Sequence, residues 1–247
     1  MKIFWLAMIG IALSSSALSQ TMSCPSESED MMNYFSMGYP SRLANYMGPG
    51  NANPIYTTIV PELGDSFATT GFFLWTKSSV GYPWDIKTFD QKYIYDRTTE
   101  LGWTDPTSFK RFNIDLPVAK RCVQVGQSGQ SIKIAKANTN YTSYANCLPT
   151  LTQNLGYVLN LVSPPKLVNT GGNLGTIQTR VFSYRYSCDA NYANCANKEE
   201  FHVAKPYGLV KWQHQSLGAN GTYNPPDNVT VFNQIVSGQT TPITTCF

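Results

Sequence analysis

The most constraining feature of this sequence is a set of six cysteines that all follow an apolar leader. Lys2 precedes a short apolar run, Ile3–Leu13, and small, mostly polar residues then continue to Ser19. This order is typical of a cleaved secretory signal peptide, and the run is shorter than the ~20 residues of a membrane-spanning helix. We therefore predict a signal peptide over residues 1–19, cleaved near Ser19. The protein is expected to be secreted, extracellular or in the cell envelope, without a transmembrane segment.

An even number of cysteines in an exported chain predicts three disulfides, because oxidising compartments let the bonds form and persist. The cysteines are Cys24, Cys122, Cys147, Cys188, Cys195 and Cys246. Six cysteines allow about 15 pairings, so their spacing does not determine the connectivity. We expect Cys188–Cys195 as a small loop, Cys122–Cys147 as a hairpin-sized loop and Cys24–Cys246 as a tie between the two ends. No C-x-x-C pair occurs, so the cysteines predict no zinc site.

Composition narrows the class of protein further. Residues 20–247 suit a single domain. The formal net charge is only +3 and charged residues make up 13% of the chain, against about a quarter in typical proteins. Without a basic stripe, nucleic acid is not expected as a partner. The composition leaves the oligomeric state open.

Apolar periodicity and turn residues predict short strands rather than helices. The predicted strands are Ile55–Val60, Thr70–Trp75, Lys92–Thr99, Ser131–Ala135, Gly156–Val162, Ile177–Ser187, Glu200–Val203, Gly208–His214 and Thr230–Val236. Asn220-Gly221 is the strongest hairpin signal, because both residues tolerate positive φ. Short helices are expected at Glu27–Phe35 and Thr107–Phe112. Together these elements predict a mostly β, single-domain antiparallel β-sandwich, similar to a jelly roll and stapled by disulfides.

Most known catalytic motifs are missing. Gly126-Gln127-Ser128-Gly129-Gln130 departs from the nucleophile elbow at its last position, and no H-E-x-x-H or phosphate-binding loop occurs. His202 and His214 are the two histidines of the sequence. We therefore predict no cofactor and no metal, and leave open whether the chain is an enzyme.

Two segments carry candidate site residues. Residues 85–121 hold 13 of the 33 charged side chains. Here Tyr95, Arg97 and Trp103 are candidate ligand-binding residues, with Asp96 and Glu100 as weaker catalytic candidates. Two carboxylates on one strand are poorly placed for glycoside hydrolysis, so ordinary ion pairing of Asp96 with Arg97 or Lys92 is the competing interpretation.

The second segment runs from Glu200 to Gln215. On a strand Gly208–His214, alternation predicts that Tyr207, Leu209, Lys211 and Gln213 share one face, and that Val210, Trp212 and His214 share the other. Candidate catalytic residues are Tyr207, Lys211, His214, Glu200 and His202, and Gln213 is a candidate ligand-binding residue. The stretch resembles the closing strand of jelly-roll polysaccharide lyases, which also place Tyr, Lys and Gln on one strand. The chain lacks their arginine-bearing and Q-[IV]-H strands.

Three functions remain open from the sequence. The first is binding of a polysaccharide or surface glycan through exposed aromatic residues. The second is a carbohydrate-active enzyme, a polysaccharide lyase or glycosidase, in which Tyr or His acts as the base. The third is a structural or envelope-associated protein without a small ligand. Convergence of Glu200, His202, Tyr207 and Lys211 on one sheet face would favour the second.

Overall fold

The computed structural model describes residues 24–35, 43–47, 55–60, 71–77, 82–99, 108–125, 129–143 and 145–236. The predicted signal peptide, Glu100, Trp103 and Cys246 lie outside these ranges. The described part forms one short helix, α1 (Met32–Phe35), and many strands. The strands are β1 (Ser28–Asp30), β2 (Leu43–Met47), β3 (Ile55–Val60), β4 (Gly71–Lys77), β5 (Tyr82–Phe89), β6 (Tyr93–Thr99), β7 (Ser108–Lys120), β8 (Cys122–Gln124), β9 (Gln130–Ser143), β10 (Pro149–Val162), β11 (Lys166–Asn169), β12 (Thr176–Cys188), β13 (Cys195–Ala204), β14 (Gly208–Ser216) and β15 (Asn228–Val236).

The prediction of a mostly antiparallel β domain stapled by disulfides is confirmed. One sheet follows the order β2-β15-β14-β13-β12-β10-β9-β7-β6-β5-β4-β3, with β11 added beside β12, and β1 pairs separately with β8. Most neighbours in this sheet are also neighbours in sequence, so the chain runs as a meander. A jelly roll uses Greek-key connections instead, and that part of the prediction is not confirmed. No helix among the described residues is long and apolar enough to cross a membrane.

The sheet curls around an aromatic core. Strand register places Phe182, Phe201 and Trp212 side by side on the inner face of β12, β13 and β14. Lys87 lies on β5, several strands away from β13 in the sheet order. Its Nζ nevertheless lies 5.2 Å from the centre of the Phe201 ring. The fully buried ammonium forms an ion pair with Asp96 of β6. The ordinary ion-pairing interpretation of Asp96 is therefore correct, but its partner is Lys87 rather than Arg97 or Lys92.

The N-terminal segment closes one end of this core. β1 and α1 place Met31 and Phe35 at 0% exposure. Glu29 accepts hydrogen bonds from Arg180 Nη2 (2.6 Å), Lys205 Nζ (2.7 Å) and Tyr34 Oη (2.9 Å). Ser28–Asp30 form strand β1 instead of the first helical turn. The predicted helix over Glu27–Phe35 is therefore shortened to four residues.

Disulfide pairing corrects two of the three predictions. Cys188–Cys195, the short disulfide, is as predicted. Cys24 bonds to Cys122, 98 residues away, and forms the long disulfide; the predicted Cys24–Cys246 and Cys122–Cys147 pairs are therefore wrong. Asp30 of β1 pairs with Cys122 of β8, and no spacing rule encodes this contact between the N-terminal segment and β8. Cys147 is also disulfide-bonded.

Several strands were missed or predicted too short. A helix turn was predicted at Thr107–Phe112, but Ser108 and the residues after it form the start of β7. β9 and β10 each run for 14 residues, far beyond the predicted Ser131–Ala135 and Gly156–Val162. The added residues form a polar ribbon in which Thr152 Oγ1 donates to Asn140 Oδ1. Polar residues on both faces of these added segments give no apolar alternation. The sequence pattern therefore predicted only the apolar part of each strand.

Candidate functional site

Strands β12, β13 and β14 display three cross-strand rows on their outer face, the face turned away from the aromatic core. Register fixes the rows, because directly opposed residues of an antiparallel pair share a face. The rows are Val181–His202–Lys211, Ser183–Glu200–Gln213 and Arg185–Lys198–Gln215. We refer to these nine residues as the outer patch. Eight of the nine side chains are polar or charged. Such a composition is unusual for a strand face on which Ser183 and His202 are each only 6% exposed.

Four predicted site residues meet in the outer patch: Glu200, His202, Lys211 and Gln213. Gln213 Nε2 donates to Glu200 Oε2 at 2.6 Å. His202 Nε2 lies 3.9 Å from the same oxygen, too far for a hydrogen bond. Neither ring nitrogen of His202 has a hydrogen-bond partner among the described residues. The carboxylate is thus held in place, while the imidazole keeps both of its nitrogens uncommitted.

Burial and neighbouring charges determine the charge states of Glu200 and His202 near neutral pH. Burial alone would raise the pKa of Glu200, but the hydrogen bond and charge of Lys198, with help from Gln213, lower it. Burial lowers the pKa of His202 to about 4, and Lys211, Lys166 and Lys198 act in the same direction against Glu200. At pH 7, Glu200 is therefore ionised and His202 is a neutral imidazole.

Lys198, Arg185 and Tyr223 belong to the site but were not identified in the sequence. Lys198 Nζ lies 3.1 Å from Glu200 Oε1 and 4.6 Å from the Tyr223 ring centre. The Arg185 guanidinium lies 5.7 Å from the same ring. Tyr223 follows the Asn220-Gly221 turn, in which Gly221 has a φ of 76° and Gly218 N donates to Thr222 O. The turn itself was predicted from the sequence. Its contact with Lys198 and Arg185 was not, because strand register decides which side chains lie beside Tyr223.

A β-bulge separates Tyr207 from the outer patch. His202 pairs with Lys211 but Val203 pairs with Leu209, so Val210 is the extra residue. The bulge turns Leu209 to the inner face with Val203, where both are fully buried. The predicted face shared by Tyr207, Leu209, Lys211 and Gln213 is therefore wrong. Tyr207 lies in the preceding turn and packs against Phe232 of β15 instead.

His214 lies on the inner face, away from the outer patch, in agreement with the predicted alternation. Its Nδ1 is 2.7 Å from Asp227 Oδ1 and its Nε2 is 3.5 Å from the Tyr186 hydroxyl. A hydrogen on Nδ1 leaves Nε2 as the acceptor for the phenol. Nearby, Trp212 Nε1 donates to the buried Glu199 carboxylate at 2.9 Å. This inner chain, Tyr186–His214–Asp227, is the second arrangement with chemical potential.

The candidate residues on β6 belong neither to the outer patch nor to the inner chain. Tyr95 donates to Asp90 Oδ2 at 2.9 Å, and burial together with that hydrogen bond raises the pKa of the phenol. Arg97 is 3% exposed and its Nε donates to Asp115 Oδ1 at 3.1 Å. Both side chains thus stabilise the fold around β6 and β7. Trp103 and Glu100 lie outside the described residues.

A groove and the acidic residues of β13 are the other features that could form a site. A groove of about 240 Å³ borders β7 and β9, with Arg111, Asp115 and Asn140 in its wall. Among the described residues, no group of three or more His, Cys, Asp or Glu side chains could hold a metal ion. Glu199 and Glu200 are consecutive strand residues and point to opposite faces, so they cannot flank one glycosidic bond.

Comparisons with known proteins leave the family open. No protein-family model matches this sequence, and no curated protein matches it. The fold resembles that of a Bacteroides fragilis protein described as exported, with a YmcC-like fold. That pair shares 8% identity and a TM-score of 0.42, over 83% of this chain and 100% of the other. A Parabacteroides distasonis protein described as a lipoprotein shares 10% identity and the same TM-score, over 83% and 99%. At these values the likeness assigns neither a family nor a function.

Proposed function

We propose that this is an exported protein that binds carbohydrate on the outer patch of β12–β14. Export is supported by the disulfides, which form and persist in oxidising compartments. The observation that carries the binding proposal is the Glu200–Gln213 pair beside His202 on one rigid sheet face. Planar carboxylate and amide groups held by hydrogen bonds supply fixed acceptors and donors for sugar hydroxyls. Ligand sites typically combine a few such convergent polar groups with aromatic surface, and Tyr223 provides that surface at the margin.

The structure supports binding better than catalysis at this face. Glu200 is ionised and is held in that state by Lys198 and Gln213, so it is a poor proton donor. Tyr207, the base expected for a lyase, packs against Phe232 in the core. Within the described residues, no second carboxylate shares the outer patch with Glu200. A binding role requires none of these groups to change protonation state.

Binding is tested by glycan-array screening followed by titration calorimetry on the signal-cleaved, oxidised protein. For a neutral glycan, Glu200→Gln is expected to weaken binding at least about tenfold, the equivalent of ~1.4 kcal/mol, because it removes the charged acceptor that orders Lys198 and Gln213. Asp227→Asn is the matched control, since Asp227 contacts His214 on the other face. An absence of binding on a broad array, or an equal loss in both variants, would contradict the proposal.

The inner chain favours a second candidate function, a carbohydrate-active enzyme. Tyr186, His214 and Asp227 form a hydrogen-bonded series of the kind that activates a phenol as base or acid. Incubation with neutral and acidic polysaccharides, followed by ultraviolet absorbance of unsaturated products and by reducing ends, separates lyase from hydrolase activity. Product formation that is lost in Tyr186→Phe would establish this function. Silence in both assays, together with no binding, would leave a structural role in the envelope.

A further inference from the structure

Basic side chains converge on the outer patch although charged residues are scarce in this chain. We propose that the patch binds the anionic groups of an acidic polysaccharide, whether carboxylates of uronic acids or sulfate esters. This inference rests on the proposed function and specifies its ligand class.

The first observation is a pair of like charges in direct opposition. Arg185 on β12 and Lys198 on β13 are register partners, and like charges placed directly opposite each other destabilise a sheet. Tyr223 offsets part of this repulsion, because both cations lie against its ring. Glu200 neutralises one charge through Lys198. With Lys211 in the neighbouring row, the patch keeps a positive excess that an anionic ligand would neutralise.

The second observation is independent and concerns His202. The side chain is buried, and both ring nitrogens are without a hydrogen-bond partner among the described residues. Buried polar atoms without a partner are uncommon in folded proteins and call for an explanation. Lys211 is its register partner, and Lys166 of β11 acts on the imidazole from the other side. A carboxylate or sulfate oxygen placed here would accept hydrogen bonds from the imidazole N–H and from lysine ammonium groups.

The groups around His202 exclude a cation as the natural occupant. Lys198 and Glu200 flank it on β13, Lys211 faces it from β14, and Lys166 acts from β11. Three positive charges against one negative charge attract an anion. The ammonium groups supply donors and positive charge to such a ligand, and the neutral imidazole supplies one N–H donor. Glu200 and Gln213 remain for neighbouring hydroxyls.

The test uses two matched polymer pairs in affinity electrophoresis and calorimetry: polygalacturonate against its carboxyl-reduced form, and dextran sulfate against dextran. We expect the charged member of at least one pair to bind at least about tenfold more tightly, with affinity falling as salt is added. A preference within the first pair identifies a carboxylate as the bound group, and a preference within the second identifies a sulfate ester. Lys211→Met should lose most of that preference, and Lys120→Met, an exposed lysine on β7, should keep it. His202→Gln should reduce the preference if it folds; Lys211→Met decides the matter if it does not.

The remaining outcomes separate the two proposals. Equal binding within both pairs would overturn the acidic-ligand inference and leave carbohydrate binding intact. Failure of all four polymers, and of the glycan array, would overturn both. Binding of duplex DNA as tightly as the acidic polymers would identify a general polyanion surface and would also overturn the inference.

Discussion

Replacing Glu29 by glutamine tests whether the N-terminal segment is locked to the sheet by charge. Glu29 accepts hydrogen bonds from Arg180, Lys205 and Tyr34. Arg180 is only 1% exposed, so its guanidinium depends on protein groups for compensation. Glutamine keeps the shape and one acceptor oxygen but removes the charge. The variant therefore leaves a buried cation without its carboxylate.

The magnitude follows from the pKa of Glu29. Burial alone would raise this pKa, but the hydrogen bonds from Lys205, Arg180 and Tyr34 outweigh burial and lower it from 4.5 to about 2. At ~1.4 kcal/mol per pKa unit this corresponds to about 3 kcal/mol, and solvent screening at a partly exposed carboxylate reduces it to about 2 kcal/mol. Because the folded-state pKa is depressed, this stability is fully present above pH 4.5. It is lost as the pH falls towards 2.

The assay is urea denaturation of the oxidised protein at several pH values, followed by fluorescence. Glu29→Gln is expected to lower the free energy of unfolding by about 2–3 kcal/mol at pH 7 and to converge with the parent protein near pH 2. Glu27→Gln, an exposed neighbour, should change it by less than ~0.5 kcal/mol. Equal losses in the two variants, or a difference that persists unchanged to pH 2, would refute this reasoning.

Three further outcomes are expected. The pKa of His202, about 4 in the free protein, should rise when an acidic polymer binds. Affinity should therefore increase as the pH falls from 8 to 5. An unchanged His202 pKa in an NMR titration with the polymer would mean that the charge of the ligand lies elsewhere. Asp96→Asn leaves the Lys87 ammonium buried without its counter-charge and should cost about 3–5 kcal/mol in urea denaturation, whereas combining Asp96→Leu with Lys87→Met should recover most of the loss; no recovery would mean that the site needs the charges. Replacing both cysteines of the long disulfide by alanine should cost about 2 kcal/mol more than the same change in the short one, because a 98-residue loop loses more chain entropy than a seven-residue loop; equal losses would contradict that model.

Local signals in the sequence were reliable where a residue's own chemistry decides the outcome. The Asn220-Gly221 turn forms because Gly221 tolerates the positive φ of 76° that the turn requires. In β12, Phe182 and Tyr184 alternate with residues that point outward, and this local alternation places both rings on the inner face. Glu200 and His202 share a face for the same reason. The polar ribbon of β9 and β10 was missed because its stability comes from pairing between strands, which leaves no apolar period in either strand.

The sequence by itself therefore determined the class of this protein: a weakly charged chain with six cysteines that forms antiparallel strands and carries Glu200 and His202 on one strand face. Only the tertiary structure decided which residues join them. Register brought Lys198 and Arg185 into opposition, and a single bulge at Val210 removed Tyr207 from the patch. The turn after β14 placed Tyr223 against both cations at the margin of the patch. Alternation within a strand is a local property of the backbone, whereas register, bulges and disulfide partners depend on contacts between segments far apart in the chain.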